Sequence, residues 1–168
     1  LIHNRCSKDS FWSGMHNGVT TIIFDDVGNA NPDVDKQGTA IDEVLRTINP
    51  APYVLPMADL ADKGKVFADP RLVLVTTNQK SLHARNYSSC PDSIYRRLPY
   101  VVTIEIKQQF RPTDKQGNTL SNSIDADKVR EYMMAHPGIV PEVQDFVLEK
   151  YRQNDNAVGS PDYILVDR

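Results

Sequence analysis

The chain lacks the features that mark several common classes of protein. It has 168 residues and only two cysteines, Cys6 and Cys90, which stand far apart with no Cys-x-x-Cys pair and no clustered histidines. This excludes a zinc ribbon and gives no support for a disulfide framework, so we expect a reducing compartment. No apolar run approaches the roughly 18 residues of a membrane span, and no signal-peptide pattern is present, so no transmembrane segment is predicted.

An excess of charge of one sign is also absent. The formal net charge is -3 and the isoelectric point is near 5.8. No global basic field therefore favours nucleic acid, and any RNA contact would depend on a local patch. Hydrophobic residues make up 40% of the chain and charged residues 24%, which indicates an ordinary globular domain. Because the sequence begins with Leu1 rather than methionine, we expect it to be a piece of a longer polypeptide.

Apolar segments separated by helical stretches follow a mixed, turn-rich beginning at residues 1–18. Residues 19–24, 72–77 and 100–106 are rich in β-branched and other apolar side chains, which predicts three buried strands. Residues 40–48 repeat their apolar positions at helical spacing and predict a helix between the first two strands. No tight hairpin turn joins the strands, so the sequence predicts an α/β fold with a parallel sheet.

The last third of the chain is predicted to be mainly helical. Residues 124–135 and 141–151 each predict a helix, and Pro141 suits the first helical position of the second one. Residues 163–166 could form one more short strand.

Charged and amide side chains stand where the predicted strands end or begin. Asp25 and Asp26 follow the first strand, Asn78 follows the second, and Arg96 and Arg97 precede the third. In open α/β sheets ligands bind beyond the carboxyl ends of the strands, where P-loop NTPases use an aspartate to hold Mg²⁺. A strand-end asparagine can orient a water molecule, and guanidinium groups stabilise a transferring phosphoryl group. Together these residues indicate phosphoryl-transfer chemistry.

Each of these residues also has a simpler interpretation. The two aspartates could form a solvated turn, Asn78 could cap a helix that begins near Lys80, and the arginines could end a helix in solvent. The combination, in this order along the chain, favours the phosphoryl-transfer interpretation.

Four sequence blocks carry a resemblance to a known family. They are residues 22–28 (IIFDDVG), 56–67 (PMADLADKGKVF), 73–78 (VLVTTN) and 91–97 (PDSIYRR). In order and spacing they resemble the superfamily 3 RNA helicase of picorna-like viruses over about residues 2–110. The first block is similar to Walker B, the second to the motif between B and C, the third to motif C and the fourth to the arginine-finger pair.

The resemblance implies an AAA+-like P-loop NTPase core with a parallel sheet, α/β in class, over residues 1–110. Residues 111–168 would form a helical tail that completes the domain or links it to the next polyprotein segment. The implied activity is hydrolysis of ATP or another NTP with Mg²⁺, coupled to remodelling of single-stranded RNA during viral genome replication. The implied assembly is a homo-oligomeric ring, a hexamer, that works with other viral replication proteins in the host cytoplasm, at membranes reached through other segments.

The resemblance also implies roles for individual residues at the nucleotide. Asp25 would hold Mg²⁺ together with Asp26, and Asp26 would activate the attacking water. Asn78 would be the sensor, in contact with the nucleotide. Arg96 and Arg97 would act in trans, at the nucleotide of a neighbouring protomer.

Lys63 and Lys65 are the candidates for RNA contact. They flank Gly64, and a glycine allows the backbone to approach a phosphate chain closely. The alternative is a solvated loop, because lysine is usually exposed.

The chain departs from the family pattern in two ways. It contains no G-x-x-x-x-G-K-[ST] loop, whose backbone N–H groups and lysine cradle phosphates, and Gly64-Lys65 is followed by Val66. We therefore expect the core to be truncated at its N-terminus, and the isolated chain to hydrolyse no ATP. It also lacks the cysteine-rich segment of enterovirus-type relatives, which favours insect or marine picorna-like viruses as its kin.

Two other functional classes stay open at this point. A cellular AAA+ module of the clamp-loader or initiator kind would share the aspartate pair, the sensor asparagine and the arginine pair. The block at residues 56–67 favours the viral family over that class. A non-catalytic α/β binding domain would use the acidic strand end only as a turn.

Overall fold

The computed structural model describes residues 1–6, 8–29, 39–153 and 161–168, and the chain divides into two units. The first unit runs from Leu1 to Arg97, and the second begins at Leu98. The described elements of the first unit are β1 (Ile2–Arg5), β2 (Thr21–Phe24), α1 (Thr39–Ile48), β3 (Tyr53–Val54), β4 (Phe67–Ala68), β5 (Leu72–Val75), α2 (Ala84–Tyr87) and α3 (Asp92–Tyr95).

A three-stranded parallel sheet in the order β1-β2-β5 organises the first unit. Its register aligns Arg5 with Phe24 and Phe24 with Val75, so the three strands end together. We call this edge the carboxyl rim, and the opposite edge, where Ile2, Thr21 and Leu72 begin the strands, the amino rim. The strands β3 and β4 form a separate antiparallel pair.

Trp12 is the centre of the core of this unit. Its side chain is fully buried, and its ring packs edge-on against Phe24 and Tyr53 at centroid distances of 6.0 and 6.1 Å. The ring also stacks on His3 at 5.7 Å, and the Arg5 guanidinium lies 4.6 Å from its centre. Edge-to-face and cation–π contacts of this kind add to the burial of a large apolar surface.

A buried ion pair ties β1 to α1. Arg5 donates from Nε and Nη2 to the two carboxylate oxygens of Glu43 at 2.9 and 2.7 Å. Its remaining donors reach the carbonyl oxygens of Asp9 and Phe11 at 2.7 and 3.0 Å. The guanidinium is therefore satisfied inside the unit, as a buried charge must be.

The structure confirms most of the sequence-based elements of this unit. The predicted strands at 19–24 and 72–77 appear as β2 and β5, the predicted helix at 40–48 appears as α1, and the sheet is parallel. The strand β1 was not predicted, because three of its four residues (IHNR) are polar and no apolar period is present.

The second unit is built on an antiparallel sheet in the order β6-β7-β8. Its described elements are β6 (Tyr100–Ile106), a 3₁₀ turn (Gln108–Phe110), α4 (Ala126–Ala135), β7 (Gln144–Tyr151) and β8 (Tyr163–Asp167). Asp125 caps α4 by accepting hydrogen bonds from the N–H groups of Asp127 and Lys128. The predicted helix at 124–135 and the predicted short strand at 163–166 are confirmed as α4 and β8.

Two sequence-based predictions in this unit are wrong. Residues 100–106 form a strand, but it pairs antiparallel with β7 and does not join the parallel sheet. Residues 141–151 were predicted as a helix and instead supply β7. Their apolar positions fit helical spacing, but pairing with β6 along the whole strand outweighs that local pattern, and the β-branched and aromatic residues of the segment suit a strand.

No helix among the described residues is long and apolar enough to cross a membrane.

Candidate functional site

The carboxyl rim brings together the acids that follow β2 and the polar residues that follow β5. Because Phe24 is the partner of Val75 in a parallel pair, the next residues on the two strands, Asp25 and Thr76, are neighbours. Asp25 and Asp26 are exposed at this rim, and so is Asn78, three residues after β5 ends. The rim therefore collects three of the predicted site residues on adjacent strand ends, the usual place for a ligand in such a sheet.

Thr76 holds both acids in place. Its hydroxyl donates to Asp25 Oδ1 at 2.5 Å and accepts a hydrogen bond from the backbone N–H of Asp26 at 2.9 Å. Backbone bonds extend the pairing past the strand ends, from Thr76 N–H to the Phe24 carbonyl and from Val27 N–H to the Thr76 carbonyl, both at 2.9 Å. Asp25 is thus oriented by a hydroxyl, and among the described residues its second oxygen has no hydrogen-bond donor.

The turn after the acids is tightly constrained. Asp26 has a φ of 53°, in the left-handed region that non-glycine residues seldom adopt, and Gly28 has a φ of 74°. A Cβ on Gly28 would lie 3.1 Å from the Cα of Leu82. The turn after Asp26 therefore packs directly on the backbone of the segment that follows Asn78.

That segment has a strained backbone of its own. Leu82 and His83 both have positive φ values, 50° and 49°. The first helix after Asn78 is α2, which starts at Ala84 with His83 at its N-cap, so Asn78 caps no helix. Within the described part of the chain, the Asn78 side chain makes no hydrogen bond and is exposed to solvent.

Arg97 is held inside its own unit. It donates from Nη1 to the Ser93 carbonyl at 2.7 Å and from Nε to Asn49 Oδ1 at 3.2 Å. Asn49 directly follows α1, so Arg97 lies at the C-terminal end of that helix. This arrangement leaves only part of the Arg97 guanidinium available to another molecule.

Arg96 has a different environment. It ends α3 in an exposed position, and its side chain makes no hydrogen bond or ion pair to any described residue. None of the described contacts joins either arginine to the acids at the carboxyl rim or to Asn78. The arginines and the acids of one chain therefore form separate groups.

The lysine loop, residues 59–65, lies at the other end of the parallel sheet. Asn17, which precedes β2, donates to the Lys65 carbonyl at 3.1 Å and accepts from the Phe67 N–H at 3.0 Å. Lys63 and Lys65 are exposed, and Gly64 between them has a φ of 73° with open space around it. The loop is thus anchored beside the amino rim, with its lysines facing solvent.

A hydrogen bond links the arginine-bearing helix to the segment after Asn78. The Tyr95 hydroxyl on α3 donates to the Ser81 carbonyl at 3.2 Å. Burial raises the pKa of Tyr95 above its ordinary value, so this hydroxyl stays protonated and able to donate over the physiological range.

The donor set at the carboxyl rim suits Mg²⁺. Two carboxylates and an amide oxygen are hard oxygen ligands, and Mg²⁺ is commonly held by one or two carboxylates with substrate phosphates completing its shell. The described residues contain no group of three or more histidine, cysteine or acidic side chains arranged to hold a metal alone. The rim therefore fits a cation that arrives with phosphates rather than a metal enclosed by protein.

Comparison with known proteins defines the class of the first unit. Residues 1–79 match the model of the RNA helicase family. The chain is 34% identical over 106 residues to the replicase polyprotein of Cricket paralysis virus, a match that covers 62% of this chain and 6% of the relative. It is 26% identical over 148 residues to the replicase polyprotein of Acute bee paralysis virus, covering 87% of this chain and 8% of that relative.

The family match and the two relatives, both replicase polyproteins of picornavirus-like viruses, therefore support a region of the superfamily 3 helicase type within this chain. It spans less than a tenth of the length of these two relatives.

Sequence reasoning quoted Thr76 in a motif but gave it no role. Its role depends on the register of β2 and β5, which brings residue 76 beside residue 25. Counted from the ends of the predicted strands, 19–24 and 72–77, residue 25 would stand beside residue 78, so the local sequence does not reveal Thr76 as the neighbour of Asp25.

Proposed function

We propose that this chain is part of a viral RNA helicase that hydrolyses ATP or another NTP to remodel single-stranded RNA during genome replication. The observation that supports this most strongly is the carboxyl rim, where two acids and an asparagine stand on adjacent strand ends of a chain that matches the RNA helicase family. The fold would then be an AAA+-like P-loop core, with the phosphate-binding glycine loop supplied by another part of the full-length protein.

In this proposal, the residues at the rim bind and activate rather than react covalently. Asp25, oriented by Thr76, would hold Mg²⁺ with the help of Asp26, and the ion would supply charge neutralisation at the phosphates. Asp26 accepts a proton from the attacking water, and Asn78 orients that water. The exposure of the Asp26 and Asn78 side chains suits contact with a ligand that comes from outside the chain.

The arginines are proposed to act on a neighbouring protomer of a homo-oligomeric ring, a hexamer. Their separation from the acids of their own chain agrees with action in trans, and the exposed Arg96 is the better candidate for reaching a phosphate. Arg97, bonded to Ser93 and Asn49, positions the end of α3. An arginine finger is worth about 10³–10⁵ in rate where it has been measured.

Lys63 and Lys65 are proposed to contact the RNA backbone. They are exposed beside an unhindered glycine at the rim opposite the acids, so RNA and nucleotide would occupy different ends of the sheet. The replicase polyproteins among the relatives support a role in replication in the host cytoplasm. We propose that the protein acts there with other viral replication proteins, at membranes reached through other segments.

The test is NTP hydrolysis by the full-length protein and its Asp26→Asn variant. Loss of a general base is expected to lower kcat by about 10²–10⁴-fold. The matched control is Asp127→Asn, which removes the charge of an exposed acid in α4 that forms an ion pair with Arg130 and should leave the rate unchanged. Full activity in the Asp26→Asn variant contradicts the proposal. The 168-residue chain alone is expected to show no turnover, because it has no phosphate-cradling loop.

A further inference from the structure

Thr76 occupies a position between the two acids that the proposed chemistry does not yet use. One hydroxyl serves both neighbours at once, since it donates its proton to Asp25 Oδ1 and accepts the N–H of Asp26 on its lone pair. Both strands have already ended at this point, so the pairing here rests on the backbone bonds of Thr76 and on this side chain.

The two bonds have distinct consequences for the acids. The bond to Oδ1 restrains the rotamer of Asp25, an exposed residue whose Oδ2 makes no hydrogen bond to any other described residue. The bond from the Asp26 N–H helps to hold Asp26 at a φ of 53°, a left-handed conformation that is unfavourable for residues other than glycine. The Asp26 carboxylate is projected from a backbone that would relax toward an ordinary conformation without this partner.

We infer that Thr76 is a positioning residue, whose hydroxyl aligns Asp25 for the magnesium ion and Asp26 for the water. The inference rests on the proposed function, and it assigns to the hydroxyl a task that neither acid can perform for itself. Residues that orient a metal-binding side chain without touching the metal commonly change metal affinity or activity by about 10–100-fold when removed.

The experiment compares four variants of the full-length protein, one of which, Asp25→Asn, removes the charge of the proposed magnesium ligand. Thr76→Val keeps the shape and removes the hydroxyl, Thr76→Ser keeps the hydroxyl, and Thr20→Val makes the same change at an exposed threonine next to the amino rim of the same sheet. NTP hydrolysis is measured as a function of Mg²⁺ concentration at saturating nucleotide, and thermal unfolding is measured for each protein.

Thr76→Val is expected to raise the Mg²⁺ concentration for half-maximal activity by about 10-fold and to lower kcat by about 10-fold or more. Thr76→Ser should restore both values to near those of the wild type, and Thr20→Val should change neither. A role limited to stability would lower the unfolding temperature without moving the Mg²⁺ dependence. Wild-type Mg²⁺ dependence in Thr76→Val, with activity still lost in Asp25→Asn, overturns the inference while leaving the proposed function intact.

A second measurement uses the 168-residue chain and Mn²⁺ alone, so that the outcome does not depend on turnover. Millimolar Mn²⁺ is expected to broaden the backbone amide resonances of Asp26, Val27 and Thr76 in the wild type and in Thr76→Ser. In Thr76→Val the same broadening should require about 10-fold more Mn²⁺. Equal broadening in all three proteins, or none in the wild type, overturns the inference even if the full-length protein proves to have no NTPase activity.

Discussion

At the scale of single residues, His3 links the stability of the first unit to pH. Its ring stacks on Trp12, and burial, followed by the charges of Arg5 and His16, lowers the pKa of His3 below its ordinary value of 6.5. The unfolded chain therefore binds a proton at His3 before the folded chain does as the pH falls. Stability from this residue is present above about pH 6.5 and is lost as the pH drops below it.

The variant His3→Gln is expected to reduce this dependence. Urea unfolding at pH 8.0 and at pH 5.5 should show a smaller loss of unfolding free energy in the variant than in the wild type. Comparing the two proteins removes the contribution of the carboxylates, which titrate in both. An equal loss in the two proteins would show that His3 takes no part.

At the scale of elements, the buried pair of Arg5 and Glu43 joins a strand to a helix. The side chains are 3% and 11% exposed, so removing one partner leaves a buried charge unpaired. We expect Arg5→Ala to lower the free energy of unfolding by about 3–5 kcal/mol, measured by chemical denaturation. The double variant Arg5→Met with Glu43→Leu should lose less, because no charge is stranded.

A matched control for this prediction is Arg130→Ala in α4. Arg130 pairs with Asp127 at 2.6 Å, but both side chains are mostly exposed, so the change should cost no more than about 1 kcal/mol. A cost for Arg5→Ala as small as that of Arg130→Ala would contradict a structural role for the buried pair.

How far the elements follow from the sequence depends on how local their signals are. The strands β2 and β5 and the helix α1 were predictable because each carries a compact run or a helical repeat of apolar residues. The prediction that β5 is buried is wrong, because Leu72 and Leu74 are 49% and 44% exposed. The strand β7 was not, because positions Val143, Phe146, Val147 and Tyr151 satisfy a helical period while the pairing with β6 is non-local. The strand β6 was recognised as a strand, but its partner lies some 40 residues away in the chain, and sequence reasoning placed it in the wrong sheet.

The candidate site likewise has features that the sequence could predict and features that it could not. Asp25 and Asn78 could be placed at one rim because parallel strands end together. The two bonds of Thr76 and the attachment of Arg97 to Asn49 depend on register and on the path of the chain after α3, neither of which the local sequence specifies. The assigned catalytic and RNA-binding roles stay predictions.

At the scale of the whole molecule, the proposed ring can be tested by mixing variants. Arg96→Ala leaves the acids intact and removes the exposed arginine, whereas Asp26→Asn does the reverse. Each variant alone should be inactive in the full-length protein. In a random 1:1 mixture, about one interface in four pairs an intact acid site with an intact arginine, so partial NTPase activity should return.

The mixing experiment distinguishes an arginine that acts on the neighbouring protomer from one that acts on its own chain. Recovery of activity shows that the arginine of one protomer completes the site of the next. If the mixture stays as inactive as its components while each variant still assembles, the arginine serves its own chain, and the proposed action in trans is wrong.

The lysine loop and the acids occupy opposite ends of strands that are only four residues long, roughly 13 Å from end to end. No side chain spans that length, so no direct contact links a phosphate at one end with a cation at the other. A mechanical link between them would have to run through the backbone of the strands. The strand β5 is followed directly by Thr76, which binds Asp25, and is preceded in the chain by β3, the lysine loop and β4. A small shift of β5 along its axis would therefore move both ends together. Spectroscopic distance measurements between Lys63 and the acidic turn would then stay constant during a reaction cycle, while the position of both relative to α1 would change.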